Sequence, residues 1–249
     1  MFLKTVIISF FLTFSLIDAA QSKPPSISQD VWSEVEPYLL PEDHPIKSEL
    51  DNIFSTNCIA DGIALYKAGF RGYHHKNPLK VIVAKHPDLK GYIVKLFLDN
   101  QPAGLEWPHW IKRIEGAKLI QKTVEEKAYT ATFKVPRKWI YFIPCKSNDP
   151  SGRHFILVAD DMNIIASDYN RSQWKYNTTY EQIYMFWDIL ETCGLFDSVY
   201  VDNIPYCKDG KYAFVDTEHY LKWPIAYVKF NKYLKNGKLQ LWKQLTNQE

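Results

Sequence analysis

Two periodicities alternate along this chain. Short apolar runs rich in Val, Ile, Leu, Tyr and Phe mark strands: Val81 to Ala84 and Tyr92 to Leu98, joined by the turn-rich His86-Pro-Asp-Leu-Lys-Gly91, read as one hairpin. Pro108 then opens a stretch in which Trp110, Ile114, Ala117, Ile120 and Val124 recur at three- and four-residue steps, the spacing of a helix with one buried face. Two more strands follow, Trp139 to Ile143 and Phe155 to Ala159, on either side of the polar stretch Lys146 to Arg153. A second helix is predicted from about Thr179 to Cys193, with Ile183, Phe186, Trp187, Leu190 and Cys193 on its core-facing stripe and Gly194 as its stop. Nearer the N-terminus, a helix from Gln29 to about Leu40 is ended by Pro41, and a shorter one covers Ser48 to Ser55. The tail from Phe230 to Leu245 reads as helical with a break near Asn236-Gly237.

Between the second helix and the tail lies a stretch with a pattern of its own, Asp202 to His219. Lys208-Asp209-Gly210-Lys211 is a turn, and Asp-Gly is a strong tight-turn signal. The returning arm, Tyr212-Ala-Phe-Val215, ends in the acidic cluster Asp216-Thr-Glu218. A hairpin of this length brings its ends together, so Asn203 and Asp216, at the feet of its two arms, are expected side by side. An amide oxygen beside a carboxylate is a hard-oxygen pair suited to Mg²⁺. An ordinary surface hairpin with solvated acids is the other reading.

Composition alters this picture in a few places. With 249 residues, 46% of them hydrophobic, the chain can bury a sizeable core as one domain or two lobes. A formal net charge of +2 with lysines spread along the chain argues against a nucleic-acid partner. At the start, Lys4, the apolar run Val6 to Ile17 and the small residues Ala19, Ala20 and Ser22 form the pattern of a secretory signal peptide over residues 1–22, which implies a secreted or periplasmic protein. The run is short for a stable membrane span, and an uncleaved N-terminal anchor is the alternative. Cys58, Cys145, Cys193 and Cys207 permit two disulfides in an exported protein, or stand as buried thiols; none has the Cys-x-x-Cys spacing of a zinc site. Asn170-Arg-Ser172 and Asn177-Thr-Thr179 match the glycosylation acceptor pattern. The seven histidines show neither metal-ligand nor triad spacing.

The order is hairpin with Lys95, helix with Glu115, two strands, an acidic hinge at Asp160-Asp161-Met162-Asn163, helix, and hairpin with Asn203 and Asp216. That order resembles the protein-kinase-like superfamily, including its aminoglycoside-phosphotransferase branch, over roughly residues 65–220. Lys95 matches the strand lysine that contacts nucleotide phosphates, and Glu115, on the helix that follows, matches its partner. Phe155 to Asn163 looks like the strand and hinge lining the adenine pocket, which makes Asp160 and Met162 nucleotide-side residues. Asn203 and Asp216 match the two metal ligands in type and spacing, with Asp216-Thr-Glu218 where Asp-Phe-Gly would stand.

The resemblance implies an α+β, two-lobed protein-kinase-like fold. A helical extension (23–64) would precede an antiparallel-sheet N-terminal lobe with its hinge (65–163) and a reduced helical C-terminal lobe (164–249). It implies ATP or another nucleotide and Mg²⁺ as cofactors, and phosphoryl transfer to an unknown acceptor, protein or small molecule. The chain departs from the family pattern at three points. Ser198 stands five residues before Asn203, where the catalytic aspartate belongs, leaving Asp197 and Asp202 as the nearby acids. Gly69-Phe-Arg-Gly72, set well ahead of Lys95, lacks a third glycine and reads as a phosphate cap or a plain turn. The stretch from Asp216 to Glu249 is short beside the family's activation segment and helical platform. Two functions stay open: a phosphotransferase, and a secreted pseudokinase that binds without catalysis.

Overall fold

The structure, a computed structural model, describes residues 23–55, 62–72, 81–97, 106–144 and 154–248. The leader 1–22, Cys58, Cys145, Leu98 and the stretch 146–153 lie outside the described residues. The fold is α+β. Three short helices come first, α1 (Gln29–Val35), α2 (Lys47–Ser55) and α3 (Gly62–Lys67), followed by strands β1 (Arg71–Gly72), β2 (Val81–Lys85) and β3 (Tyr92–Phe97). The long helix α4 (Glu106–Glu126) leads to β4 (Phe133–Lys134), β5 (Lys138–Phe142) and β6 (Phe155–Asp160). Then come α5 (Ser167–Ser172), α6 (Tyr180–Cys193), β7 (Tyr212–Ala213) and, after a 3-10 turn at Tyr227–Tyr233, α7 (Asn236–Leu245).

Five strands form an antiparallel sheet in the order β1-β2-β3-β6-β5, while β4 and β7 pair in parallel as a second, two-stranded sheet. Strand alternation divides the sheet's side chains between two cores. Val94, Leu96, Ile156 and Val158 pack with Leu50 and Phe54 of α2 and Leu65 of α3. Phe97, Ile140, Phe155 and Leu157 pack with Trp110 and Ile114 of α4 and with Trp32 and Val35 of α1. A third cluster gathers Phe186 and Leu190 of α6, Trp242 of α7, and Phe214 around Ala117, Ile120 and Val124. Helix α4, 21 residues and about 31 Å long, therefore serves two cores, its first half on the sheet and its second half in the helical cluster.

Caps and turns set the boundaries. Thr179 caps α6 through a reciprocal pair with Gln182, and Gly194, in the left-handed region at φ 57°, ends it. The α-helix at Gln29 is shorter than its pattern suggests: it stops at Val35 and gives way to a 3-10 turn, because Pro37 has no N–H to continue the ladder. Gly69, at φ 99°, terminates α3, with the Phe70 N–H returning to the Leu65 carbonyl at 3.0 Å, and Gly72 lies in β1 opposite Ala84. Cys193 and Cys207 are buried free thiols, and Asn170 is a buried side chain that donates to the Val201 carbonyl and accepts from Tyr206 N, so it is closed to glycosylation in this fold. Among the described residues, no helix is long and apolar enough to cross a membrane.

Candidate functional site

Strand register brings two lysines to one point. Lys95 pairs with Leu157, and Leu157 with Ile140, so Lys138, two residues before Ile140, shares the face that looks toward α4. Lys138 lies opposite Ala159, whose methyl leaves room for a long side chain. Both lysines are buried, at 6% and 5% exposure. Their ammonium groups meet neutral oxygens: Lys95 Nζ donates to the Val215 carbonyl at 3.2 Å, and Lys138 Nζ to the same carbonyl at 3.4 Å and to Thr217 Oγ1 at 2.6 Å. The Thr217 hydroxyl in turn donates to the Arg113 carbonyl, which fixes α4 against this segment.

The hairpin at Asp202 to His219 supplies the other side. Its arms are joined by Cys207 N to Lys211 O (2.8 Å), Ala213 N to Pro205 O (2.9 Å) and Val215 N to Asn203 O (3.0 Å), with Gly210 at φ 83° in the turn. This ladder sets Asn203 opposite Val215 and next to Asp216. Arg113 reaches over from α4, one nitrogen to Asp216 and another to Glu218, each at 2.5 Å. His109, one turn earlier on α4, holds the second Glu218 oxygen at 2.5 Å. The Asn203 amide donates to the Asp197 carbonyl at 3.0 Å, and the Asp197 carboxylate lies 3.9 Å from His219 Nε2.

The electrostatics follow from burial and charge count. Burial pushes Lys95 down to about 8, helped by the Arg113 charge and opposed by Asp216 and Glu218. Burial also holds Lys138 well below its ordinary range, with Lys95 and Arg113 as repelling neighbours. Burial opposes ionisation of Asp216, yet Arg113, Lys95 and Lys138 outweigh it and hold the carboxyl below its ordinary range. Glu218 is lowered likewise, burial being overcome by Arg113 and His109. Asp197 goes the other way, raised to about 6 by burial and then by the Asp216 charge. At the centre three basic side chains, Lys95, Lys138 and Arg113, face the carboxylates of Asp216 and Glu218. Among the described residues, neither lysine has a carboxylate within 4 Å.

Lys95, Asn203, Asp216 and Asp197 thus converge. Glu115 does not: it faces outward, pairing with Lys118 at 3.2 Å, and Arg113 occupies the place across from Lys95 that the expected glutamate partner would take. The reason is helical geometry. Arg113 shares a stripe with Trp110, Ile114 and Ala117, whereas two residues on, Glu115 is turned about 200° away. Asp202 also stands apart, exposed and accepting from Ser167 Oγ at 3.4 Å. Ser198 is buried. In the hinge, Asp160 is clasped by Arg137 through Nε at 2.9 Å and Nη2 at 3.1 Å, and the Met162 carbonyl accepts from Lys134 Nζ at 3.1 Å. The hinge backbone is anchored by Asp161 N to Gly91 O at 2.7 Å. Lys138, Arg113 and His109 escape the sequence reading. The inward alternation of Lys138 with Ile140 and Phe142 is the signal that could have found the first of them.

Beside Asp197, Phe196, His219, Leu221, Lys222 and Trp223 line a cavity of about 530 Å³. Leu221 (57% exposed) and Trp223 (52%) present large apolar surfaces to solvent there. Leu221 sits at φ 51°, a strained conformation for a bulky residue, held by its N–H to the Cys193 carbonyl at 2.8 Å. Among the described residues, no group of three or more His, Cys, Asp or Glu is placed to hold a metal ion. A scan against protein-family models gives no match for the chain, and neither does a search of the curated proteins.

Proposed function

We propose that this chain is an exported protein-kinase-like phosphotransferase, two-lobed, that binds a nucleotide with Mg²⁺ between the sheet and the 197–218 segment. The observation that carries this reading is the buried pair Lys95 and Lys138, both bonded to neutral oxygens, beside the Arg113 ion pairs to Asp216 and Glu218. A buried ammonium without a counter-ion is costly, and a phosphate is the anion that such a cluster accommodates. Asn203 and Asp216 form a sufficient protein share of a Mg²⁺ site, because this ion is usually held by one or two carboxylates with substrate phosphates completing the shell. Bound there, Mg²⁺ would neutralise charge on the transferring phosphoryl group. Lys95 and Lys138 would hold phosphate oxygens, and the hinge from Asp160 to Met162 would flank the base.

Asp197, raised to about 6, suits the role of orienting an acceptor hydroxyl near neutral pH, with the acceptor against Phe196, Leu221 and Trp223. One observation favours the pseudokinase reading instead. Arg113 already occupies Asp216 Oδ1, a fixed cation where the metal would bind.

Thermal unfolding with and without Mg·ATP tests the proposal. The wild type should melt roughly 5 °C higher with nucleotide at about a hundredfold excess over Kd. Lys95→Met and Asp216→Asn should each erase the rise. A wild type indifferent to every nucleotide with Mg²⁺ overturns the site. A rise without transfer of labelled phosphate assigns the pseudokinase.

A further inference from the structure

Away from that site, the helical half carries a second concentration of charge. Arg171, Ser172, Lys175, Tyr176, Lys232 and Tyr233 line a cavity of about 490 Å³. Lys232 lies 5.9 Å from the centre of the Tyr200 ring, a ring that Lys229 also approaches, at 5.4 Å. Lys235 and Lys175 both lie over Tyr176, at 5.0 and 6.0 Å, and Lys238 donates to the Tyr176 carbonyl at 2.8 Å. Positions 229, 232, 235 and 238 repeat every third residue, and the first two sit on a 3-10 turn, whose period is three, so they share one edge. Tyr200 gathers Lys229 and Lys232, and Tyr176 gathers Lys175, Lys235 and Lys238.

Six cations in one strip are notable in a chain whose formal net charge is +2. Among the described residues, none of the six has a carboxylate within 4 Å. Helix α7 adds to the same field. It begins at this strip with Lys235 as its N-cap, no side-chain cap hydrogen bond, Lys238 in its first turn and no acid there. Lysines at the positive end of a helix run against the usual charge preference, so the helix dipole adds to their field instead of offsetting it.

We propose that this strip docks an extended acidic peptide segment of a protein partner. A row of ammonium groups fits an anionic chain better than a single ion. The cavity at Arg171 takes one carboxylate side chain, its stem against Tyr176 and Tyr233. Lysines already cover the Tyr176 and Tyr200 rings, which disfavours the base stacking that single-stranded nucleic acid uses. The strip reaches the candidate site, since the Tyr200 carbonyl accepts from Asn203 N at 2.9 Å, but docking on it does not require bound nucleotide.

Fluorescence anisotropy of a labelled peptide of alternating Glu and Ser, titrated with the full chain, tests it. Binding should weaken about tenfold between roughly 20 and 200 mM salt. The double variant Lys232→Glu, Lys235→Glu should lose at least about tenfold in affinity, and Lys232→Gln, Lys235→Gln reads the same loss if charge reversal prevents folding. Lys112→Glu on α4 should bind as wild type does, and a Gln-for-Glu peptide should not bind. Failure of the acidic peptide to bind at low salt, or full affinity in the Lys232/Lys235 variants, overturns the proposal. So does displacement of the peptide by an oligothymidine or a heparin oligosaccharide at a tenth of the concentration that the unlabelled peptide requires.

Discussion

Burial and the neighbouring Asp216 charge raise the Asp197 carboxyl from its ordinary 3.8 to about 6, so between these values the folded chain holds a proton that the unfolded chain has lost. Stability therefore falls as pH rises through that window, and the penalty is fully present above it. Asp197→Asn removes the penalty. The variant should match wild type near pH 4 and exceed it by about 2 kcal/mol near pH 7 in urea unfolding. Equal stability at both pH values would show that Asp197 is not desolvated by its neighbours. The sequence points to Asp197 only by elimination, since Ser198 occupies the customary position. What brings it beside Asn203 is the fold: the Asn203 amide donates to its carbonyl, whereas Asp202 is exposed and accepts from Ser167. Side-chain direction likewise separates Arg113 from Glu115. Charge type makes glutamate the obvious partner for Lys95, but the helix stripe through Trp110 and Ile114 buries the arginine.

Helix α4 is the element on which the site depends, and its contact point is Gly116. A methyl group there would lie 1.9 Å from the Thr217 carbonyl and 2.9 Å from the Tyr220 ring. No rotation of a side chain relieves the first clash, because the obstacle is backbone. Gly116→Ala should push α4 away from the 215–218 segment, costing about 3 kcal/mol by urea unfolding and removing any response to Mg·ATP. Unchanged stability would mean that this close approach is not kept. The helix itself was legible, because apolar residues at three- and four-residue steps state which face is buried. So were α6 with its Thr179 and Gly194 boundaries, the β2–β3 hairpin, and the Asn203–Asp216 hairpin with its Asp-Gly turn. The pairing of β4 with β7 was not: two-residue strands carry no alternation to read, and their partners lie far apart in sequence. Lys138 was lost at a strand boundary, the sequence pattern starting that strand one residue late.

At the scale of the molecule, the question is how the sheet and the helical cluster are joined. Helix α4 contributes to both cores, and two buried lysines on the sheet reach the backbone and hydroxyl of Val215 and Thr217. Thr217 is the common node, accepting from Lys138 and donating to the Arg113 carbonyl. These contacts span the junction where the proposed phosphate would lie, so the charged centre acts as structural cement there. Thr217→Val keeps the shape of the side chain while depriving a buried ammonium of its closest acceptor, a loss of about 2 kcal/mol. If the two halves open as one cooperative unit, amide hydrogen exchange in β3 and in α6 should accelerate by the same factor, roughly thirtyfold. If β3 alone accelerates while α6 keeps its protection, the halves unfold separately. The centre would then hold the sheet in place without coupling it to the helices.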